Sequence, residues 1–559
     1  MKSGGKITLG EMLSAAMQTD IARLRDDLER QARATIQHQL ARPKPPWQIG
    51  SRGNAPAVRI LPPPTKKVRR RDRPGKKIVV RPIKTVRRHP VHLLETPKTR
   101  PTIRPARRQP SPFSFWDLPP EAAVREPPPT STSARGRAEF ERLITVGSSN
   151  SDAAGEELFV TIGLDFGTST TKVIVRFPYE AGTPTIAIPA PPPIQAKGQP
   201  YLWQTVLWLD SQNEFKPWPD PYASLLYALK QGIMGTSPRD SLPGGATRAE
   251  AASAFLAFVI RYTRGWLVEH RPNMFRRRQP VWFVNVGLPA ANFDNVVLAS
   301  TYRQIAAAAL GLADFRKAIT VEAARLFLAD PHVRAAAASP AEAEALGIAV
   351  IPETAAEVAG FAKSTSRAPG LYLMVDVGAM TLDVCTFRLG QRRAGEDLYA
   401  LLLALVPPLG VEAYYWFLDQ GKTEPGFIEQ ADNALHRVVW NTKCTRDPHA
   451  ECWKPGNDLP VFLVGGGAKN ELHHGLVSSL HPWLRQHARN EGMRILELPI
   501  PDNIDAPLPI ADFGRLAVAW GLSYPPHEIG DILPPSALED IVPPKPTNPT
   551  DRFVSKDQV

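Results

Sequence analysis

The stretch VTIGLDFGTSTTKVIV, beginning at Val160, constrains this chain more than any other. An apolar run ends in an acid, Asp165. Gly167 follows, then the hydroxyl row Thr168, Ser169, Thr170 and Thr171, then Lys172, and apolar residues resume. Two β-branched runs around a short polar break with glycine read as two strands joined by a tight turn. Glycine lets the backbone reverse sharply. Successive amides and hydroxyls in such a turn can wrap phosphate oxygens, and Lys172 adds a compact positive charge. Asp165 would repel phosphate unless a hard cation or its water shell lay between, so an acid here implies Mg2+. The spacings GxxxxGK[ST] and GxGxxG are not met by this stretch, which excludes a P-loop or a dinucleotide fingerprint in it.

The pattern recurs 211 positions later. In LYLMVDVGAMTLDVCTF a strand delivers Asp376, Gly378 makes the turn, and Thr381 and Asp383 follow. A third turn, in LPVFLVGGGAKNELHHGL, ends a strand in Gly465, Gly466 and Gly467 before a helix. Three glycines there let a flat or anionic group come close to the helix N-terminus. Each turn alone is an ordinary strand reversal. In this order they read as two half-sites facing one phosphate chain, with a third turn beside them. From about Glu156, strand-like runs (LFVTIGLDFG, VWFVNVGLPA, LYLMVDVGAM, LPVFLVGGGA) alternate with Ala-rich helical stretches, among them RAEAASAFLAFVIRYTRGWLVEH and DNVVLASTYRQIAAAALGL. That alternation means an α/β body.

These three turns resemble the phosphate-1, phosphate-2 and adenosine motifs of the actin, DnaK-type chaperone and sugar-kinase ATPase superfamily. VIPETAAEVAGFA is similar to the family's first connecting segment, with Glu353 in the chaperones' acidic position, and FGRLAVAWGLS to the second. VNVGLPAANFDN and PPLGVEAYYWFL bring the chaperone branch nearest. The resemblance covers roughly Glu156 to Tyr524. It implies an actin-like ATPase fold: two lobes, each with a mixed sheet flanked by helices, and a nucleotide cleft between them. It further implies ATP and Mg2+ as cofactors. Asp165 and Asp376 would hold the Mg2+ water shell. Thr168, Ser169, Gly378 and Thr381 would contact the β- and γ-phosphates beside Gly167 and Lys172. Glu353 and Asp376 would orient the attacking water, and Gly465, Gly466 and Gly467 would face ribose and adenine. In-line phosphoryl transfer needs mostly positioning and charge neutralisation, which such residues can supply.

The chain departs from the family at several places. Ala379 and Met380 stand where the chaperones have glycines, and Met380 is expected to narrow the γ-phosphate pocket and slow hydrolysis. No motif marks the chaperones' separate catalytic lysine; Lys230 in YALKQGIMG is a candidate without one. Only 55 positions separate Gly410 from Gly465, so the lobe above the adenine is expected to be reduced, with Lys443 either an adenine-side contact or an ordinary surface lysine. The roughly 35 residues after the fold leave no room for a β-rich peptide-binding domain, so a complete foldase is not expected.

The flanks differ from the body. Net charge is +12, but residues 42–110 alone hold 21 Lys and Arg against Asp72 and Glu95. Proline with like charge and few bulky residues reads as disorder. The expected division is an amphipathic helix over 1–41, a basic Pro-rich linker over 42–155, the ATPase body over 156–525 and a Pro-rich tail over 526–559. The helix starts at a capping box, Thr8 to Glu11. Its apolar stripe from Leu9 to Leu40 can dock on the body, self-associate or bind another protein. Phe113, Phe115, Trp116 and Leu118 make a second candidate docking motif for a protein partner. The 42–110 segment can bind nucleic acid or an anionic surface, or act only as a solvated tether. Three cysteines imply no disulfide framework. Cys444, His449 and Cys452 lack the paired spacing of a zinc site and read as a loop with incidental thiols. No apolar signal region opens the sequence, and no window reaches the ~18 apolar residues of a membrane span, so the cytoplasm is the expected compartment.

Three functions follow as expectations. The first is an ATP-binding, slowly hydrolysing DnaK-like protein acting as a nucleotide-dependent chaperone-like or regulatory switch. The second is an actin-like filament-forming ATPase. The third is a pseudo-ATPase scaffold with a basic nucleic-acid- or partner-binding arm.

Overall fold

The structure, a computed structural model, describes residues 9–44, 133–149, 155–235, 241–390, 397–507, 510 and 512–538. The 113–118 motif and all but the first three residues of the 42–110 segment lie outside the described residues.

The body is built on one sheet design used twice. Strands β1 (Glu156–Phe166), β2 (Thr170–Arg176) and β3 (Thr185–Ala187) run antiparallel, with β4 (Trp203–Gln204) added at the end of β2. A small separate sheet follows, of β5 (Leu207–Leu209), β6 (Phe215–Lys216) and β7 (Ser224–Leu226). Then β8 (Arg278–Leu288) pairs in parallel with β1, and β9 (Ile348–Pro352) with β8. The second sheet repeats this pattern. Strands β10 (Gly370–Val377), β11 (Leu382–Leu389) and β12 (Leu398–Leu405) are antiparallel, β13 (Leu459–Val464) is parallel to β10, and β14 (Met493–Leu496) is parallel to β13. The two orders, β3-β2-β1-β8-β9 and β12-β11-β10-β13-β14, are the same in sequence and direction. Strand β15 (Ile504–Asp505) crosses back to extend the first sheet beside β3. The result is the α/β body of two lobes, each a mixed sheet flanked by helices, that the motifs implied. Strand periodicity explains how it fills. Along β1, Leu158, Val160, Ile162, Leu164 and Phe166 enter the core of the first lobe, while Thr161, Gly163 and Asp165 fall on the other face.

Eight helices matter for the site and its support. Helix α1 (Leu9–Leu40) docks its last turns on the first lobe. There Ala32 and Ile36 are buried, and Gln39 and Arg42 donate to the buried Asp314 carboxylate at 2.9 and 2.6 Å. Side chains before Arg23, including the capping box, lie outside the described residues. Helix α2 (Ala134–Ser149) corrects the expected linker: it is part of the first lobe. Its apolar positions are few, but Phe140 meets Trp203, Trp218 and Tyr262 edge-on. Glycines let it come close to its neighbour. A Cβ on Gly147 would lie 1.8 Å from the Arg261 carbonyl oxygen, and one on Gly265 would lie 2.0 Å from that of Leu143.

Helix α3 (Leu229–Gly235) carries Lys230. Helices α4 (Arg248–His270) and α5 (Val296–Asp314) fill the first lobe. By length and composition α5 could cross a membrane, contrary to the window-based expectation, but it packs against α4. At its end Arg264 of α4 binds Asp314 at 2.5 Å. Helices α6 (Glu353–Ala362) and α8 (Ala517–Leu522) cross between the lobes, and α7 (Val411–Asp419) opens the second. At the crossing a Cβ on Gly521 would sit 1.7 Å from the Ala356 carbonyl oxygen, so only glycine fits. The chain does not leave the fold at residue 525. Strand β16 (Asp531–Leu533) pairs in parallel with β12, and Arg446 donates to the Leu538 carbonyl at 2.7 Å.

Candidate functional site

The carboxyl ends of β1 and β10 open onto one cavity of about 410 Å³ between the sheets. Its volume lies within the range of small-molecule and cofactor sites. The candidate residues of the three turns and the first connecting segment all line it: Asp165, Gly167, Thr168, Ser169 and Lys172 from the first turn; Asp376, Gly378 and Thr381 from the second; Gly465, Gly466 and Gly467 from the third; and Glu353 from α6.

Each turn is fixed by local necessity. In the first, Asp165 pairs across the hairpin with Lys172, and a Cβ on Gly167 would lie 2.2 Å from the Thr170 carbonyl oxygen. Thr205 pins the tip: its hydroxyl donates to the Gly167 carbonyl at 3.0 Å and its amide to that of Ser169 at 3.0 Å. In the second, Asp376 lies opposite Asp383, and the Gly378 amide donates to the Thr381 carbonyl at 2.9 Å. The start of α7 grips this turn, with the Val411 and Glu412 amides donating to the carbonyls of Gly378 and Ala379. In the third, Gly465 is left-handed at φ +85°, and a Cβ there would lie 1.9 Å from Oδ1 of Asp376. That glycine makes room for the acid.

The electrostatics are one-sided. Six acidic side chains line the cavity, from Asp165, Glu353, Glu357, Asp376, Asp383 and Glu412. Two lysines answer them directly: Lys172 Nζ is 2.8 Å from Asp165, and Lys230 Nζ is 2.7 Å from Glu353. Burial alone would lower the Lys230 pKa, but Glu353, Tyr302 and Asp165 outweigh it and hold the ammonium charged. Burial and Asp165 push Glu353 up, against the pull of Lys230. Burial pushes Asp376 up to about 6, with Glu353 and Asp165 adding to it and Lys172 opposing. Glu357 and Asp383 are raised well above the usual carboxylate range, by burial first and then by Asp376.

Several of these residues carried little or no signal in the sequence. Lys230 reaches Glu353 through the fold of the first lobe. Thr205 arrives on β4's end, and Arg515 places its guanidinium 3.1 Å from where a Gly466 Cβ would be. Glu357 had a usable signal, since it lies one turn after Glu353 on the same helix face. Met380 both lines the cavity and is buried, packing with Ala228 of the first lobe and Ala413 of the second. Lys443 is not a lining residue; its ammonium donates to the Ala488 carbonyl at 2.6 Å, so it acts as a structural tie. Among the described residues no group of three His, Cys, Asp or Glu side chains stands ready to hold a metal, and Cys444, His449 and Cys452 form none.

No family model matches the chain, and no curated protein matches it. Solved structures do match, among them the crystal structure of MreB5 of Spiroplasma citri bound to ADP. It is 10% identical, over 65% of this chain and 94% of that one, with a TM-score of 0.31. At that score the duplicated sheet order, not the neighbour, carries the description of the fold.

Proposed function

We propose that the cavity binds Mg-ATP and hydrolyses it slowly. The observation that carries this reading is the meeting of two like Asp-x-Gly turns, from two sheets of the same topology, across one cavity beside the Lys230–Glu353 pair. Two turns rich in backbone amides and hydroxyls suit a phosphate chain held from both sides. The glycines at 465–467 line the cavity beside Arg515 and would face the ribose and adenine.

In this reading Thr168, Ser169, Gly378 and Thr381 hold the β- and γ-phosphates. Asp165 and Asp376 hold Mg2+ through water, and that ion supplies charge neutralisation at the phosphates. The donor set fits such an ion, because six acidic side chains line the cavity against three lysines and Arg515, and carboxylate oxygens are the donors a hard cation takes. Glu353, fixed by Lys230, orients the attacking water together with Asp376. Met380 couples the lobes through an apolar contact and crowds the second turn, which favours a slow step.

The output of such a cycle is lobe closure, reported to a protein partner in a chaperone-like or regulatory manner. The front of α1 and the 113–118 segment are the proposed docking elements, and the 42–110 segment is a further contact for an anionic surface. Filament assembly in the manner of actin is the rival output of the same closure, and nucleotide-dependent light scattering separates the two.

The test is single-turnover ATP hydrolysis by the full chain. Asp376→Asn and Glu353→Gln are each expected to lower the rate by about a hundredfold or more, the scale on which loss of one electrostatic or acid–base contribution is felt. Unchanged turnover in both variants refutes the assignment.

A further inference from the structure

Four aromatic rings meet on the second lobe, and none of them lines the nucleotide cavity. They come from the helices Glu424–Asn441 and Leu480–His487. Trp483 is stacked between His436 and His487, with ring centroids at 4.3 and 4.9 Å and planes 12° and 23° apart. Trp440 meets Trp483 edge-on, at 6.1 Å and 81°. The two imidazoles fix the Trp483 ring from both faces, so the corner between the indoles is built before anything binds. Trp440 is 41% exposed, although an indole gains most from cover. Aromatic-lined surfaces are where a polyproline II segment docks, because that segment is already extended and loses little entropy on binding.

The chain carries such a segment within reach. Leu538 is the last described residue, and it is tied to this lobe: Arg446 donates to its carbonyl at 2.7 Å and to that of Pro535 at 3.2 Å. Arg446 ends the π-turn Thr442–Arg446, which continues the helix that bears His436 and Trp440. Trp440 is six positions earlier, about 9 Å along the helix axis. The sequence after Leu538 runs EDIVPPKPTNP. As polyproline II, the stretch from Leu538 to Pro546 spans about 25 Å, enough to cross the corner. The acids Glu539 and Asp540 lead it, and Arg437 and Arg485 are exposed on the two ring-bearing helices. The proline-rich stretch after Arg42 is a weaker occupant, because it is tied to the first lobe at both ends, by Arg42 on Asp314 and by α2.

We propose that the Trp440–Trp483 corner is a polyproline II docking site and that residues 541–546 of the same chain occupy it. The inference does not rest on nucleotide binding. Tethering supplies an effective concentration in the millimolar range, so even a contact with a Kd of about 1 mM is at least half occupied.

The test is hydroxyl-radical footprinting of the full chain, read by mass spectrometry at Trp440, with Tyr222 of the first lobe, 92% exposed, as reference. The variant carries Pro543→Ser, Pro544→Ser and Pro546→Ser. All three lie beyond β16, so its pairing is kept. Trp440 of the variant is expected to oxidise at least about twofold faster than in the parent, as a half-occupied site is freed, with Tyr222 unchanged. A synthetic peptide of residues 539–549 at millimolar concentration is expected to restore the parent's rate. Equal Trp440 rates in parent and variant, or a peptide that restores nothing, overturn the inference. Protection in the parent that falls on dilution also overturns it, because the occupant is then the tail of a second copy.

Discussion

Replacing Gly521 by alanine tests the joint between the lobes. Its Cβ would lie 1.7 Å from the carbonyl oxygen of Ala356 and 2.3 Å from the carbonyl carbon, both rigid backbone atoms of α6. Ordinary carbon–oxygen contact starts near about 3.3 Å, so α6 and α8 must separate by more than an ångström. Overpacking of this kind costs roughly 1–3 kcal/mol, and alanine's better helix propensity returns at most about 1 kcal/mol. The expected net loss is about 1–2 kcal/mol. Gly360 is the control: it lies on α6 itself, and its added Cβ would find only the Trp520 ring, at 3.7 Å or more. Gly360→Ala should be neutral or stabilising by up to about 1 kcal/mol. Urea midpoints of both variants against the parent give the comparison. The same shift in crossing should also weaken any ligand held by both lobes, which Gly360→Ala should not do. Equal midpoints for the two variants would refute the close crossing.

Two further outcomes follow from buried charge. Burial would raise the Asp314 carboxyl, but Arg42, Arg264 and Gln39 outweigh it and hold it at about 2, below its ordinary 3.8. A depressed folded pKa contributes stability above the ordinary value and loses it as pH falls toward the folded one. Thus about 2 kcal/mol should disappear between about pH 4 and pH 2, and Asp314→Asn should flatten that part of a stability–pH profile. Lys230→Met should destabilise the chain by about 3–5 kcal/mol by stranding Glu353, and the double variant with Glu353→Gln should recover most of the loss in thermal unfolding.

The site was legible where its chemistry is local. An acid, a glycine and hydroxyls within a few positions announce a turn, and all three turns meet as their order implied. What the sequence hid was long-range. Lys230, Thr205 and Arg515 reach the cavity only through the path of the chain, and no spacing encodes that path. Helix α2 read as linker because its close approach relies on Gly147 and Gly265 rather than on a wide apolar stripe. Strand β16 read as tail because three residues within a Pro-rich run show no periodicity, although they pair with β12. The sheet duplication was visible only as two similar turns, since directions and pairing come from tertiary contact.

The central claim is that the cavity between the two sheets is a Mg-ATP site. Calorimetric titration of the full chain with ATP in the presence of Mg2+ tests it most directly. One saturable site per chain, displaced by ADP and lost when Asp376 is replaced by lysine, is the predicted result. No saturable binding at millimolar ATP, or binding indifferent to residue 376, would contradict the account.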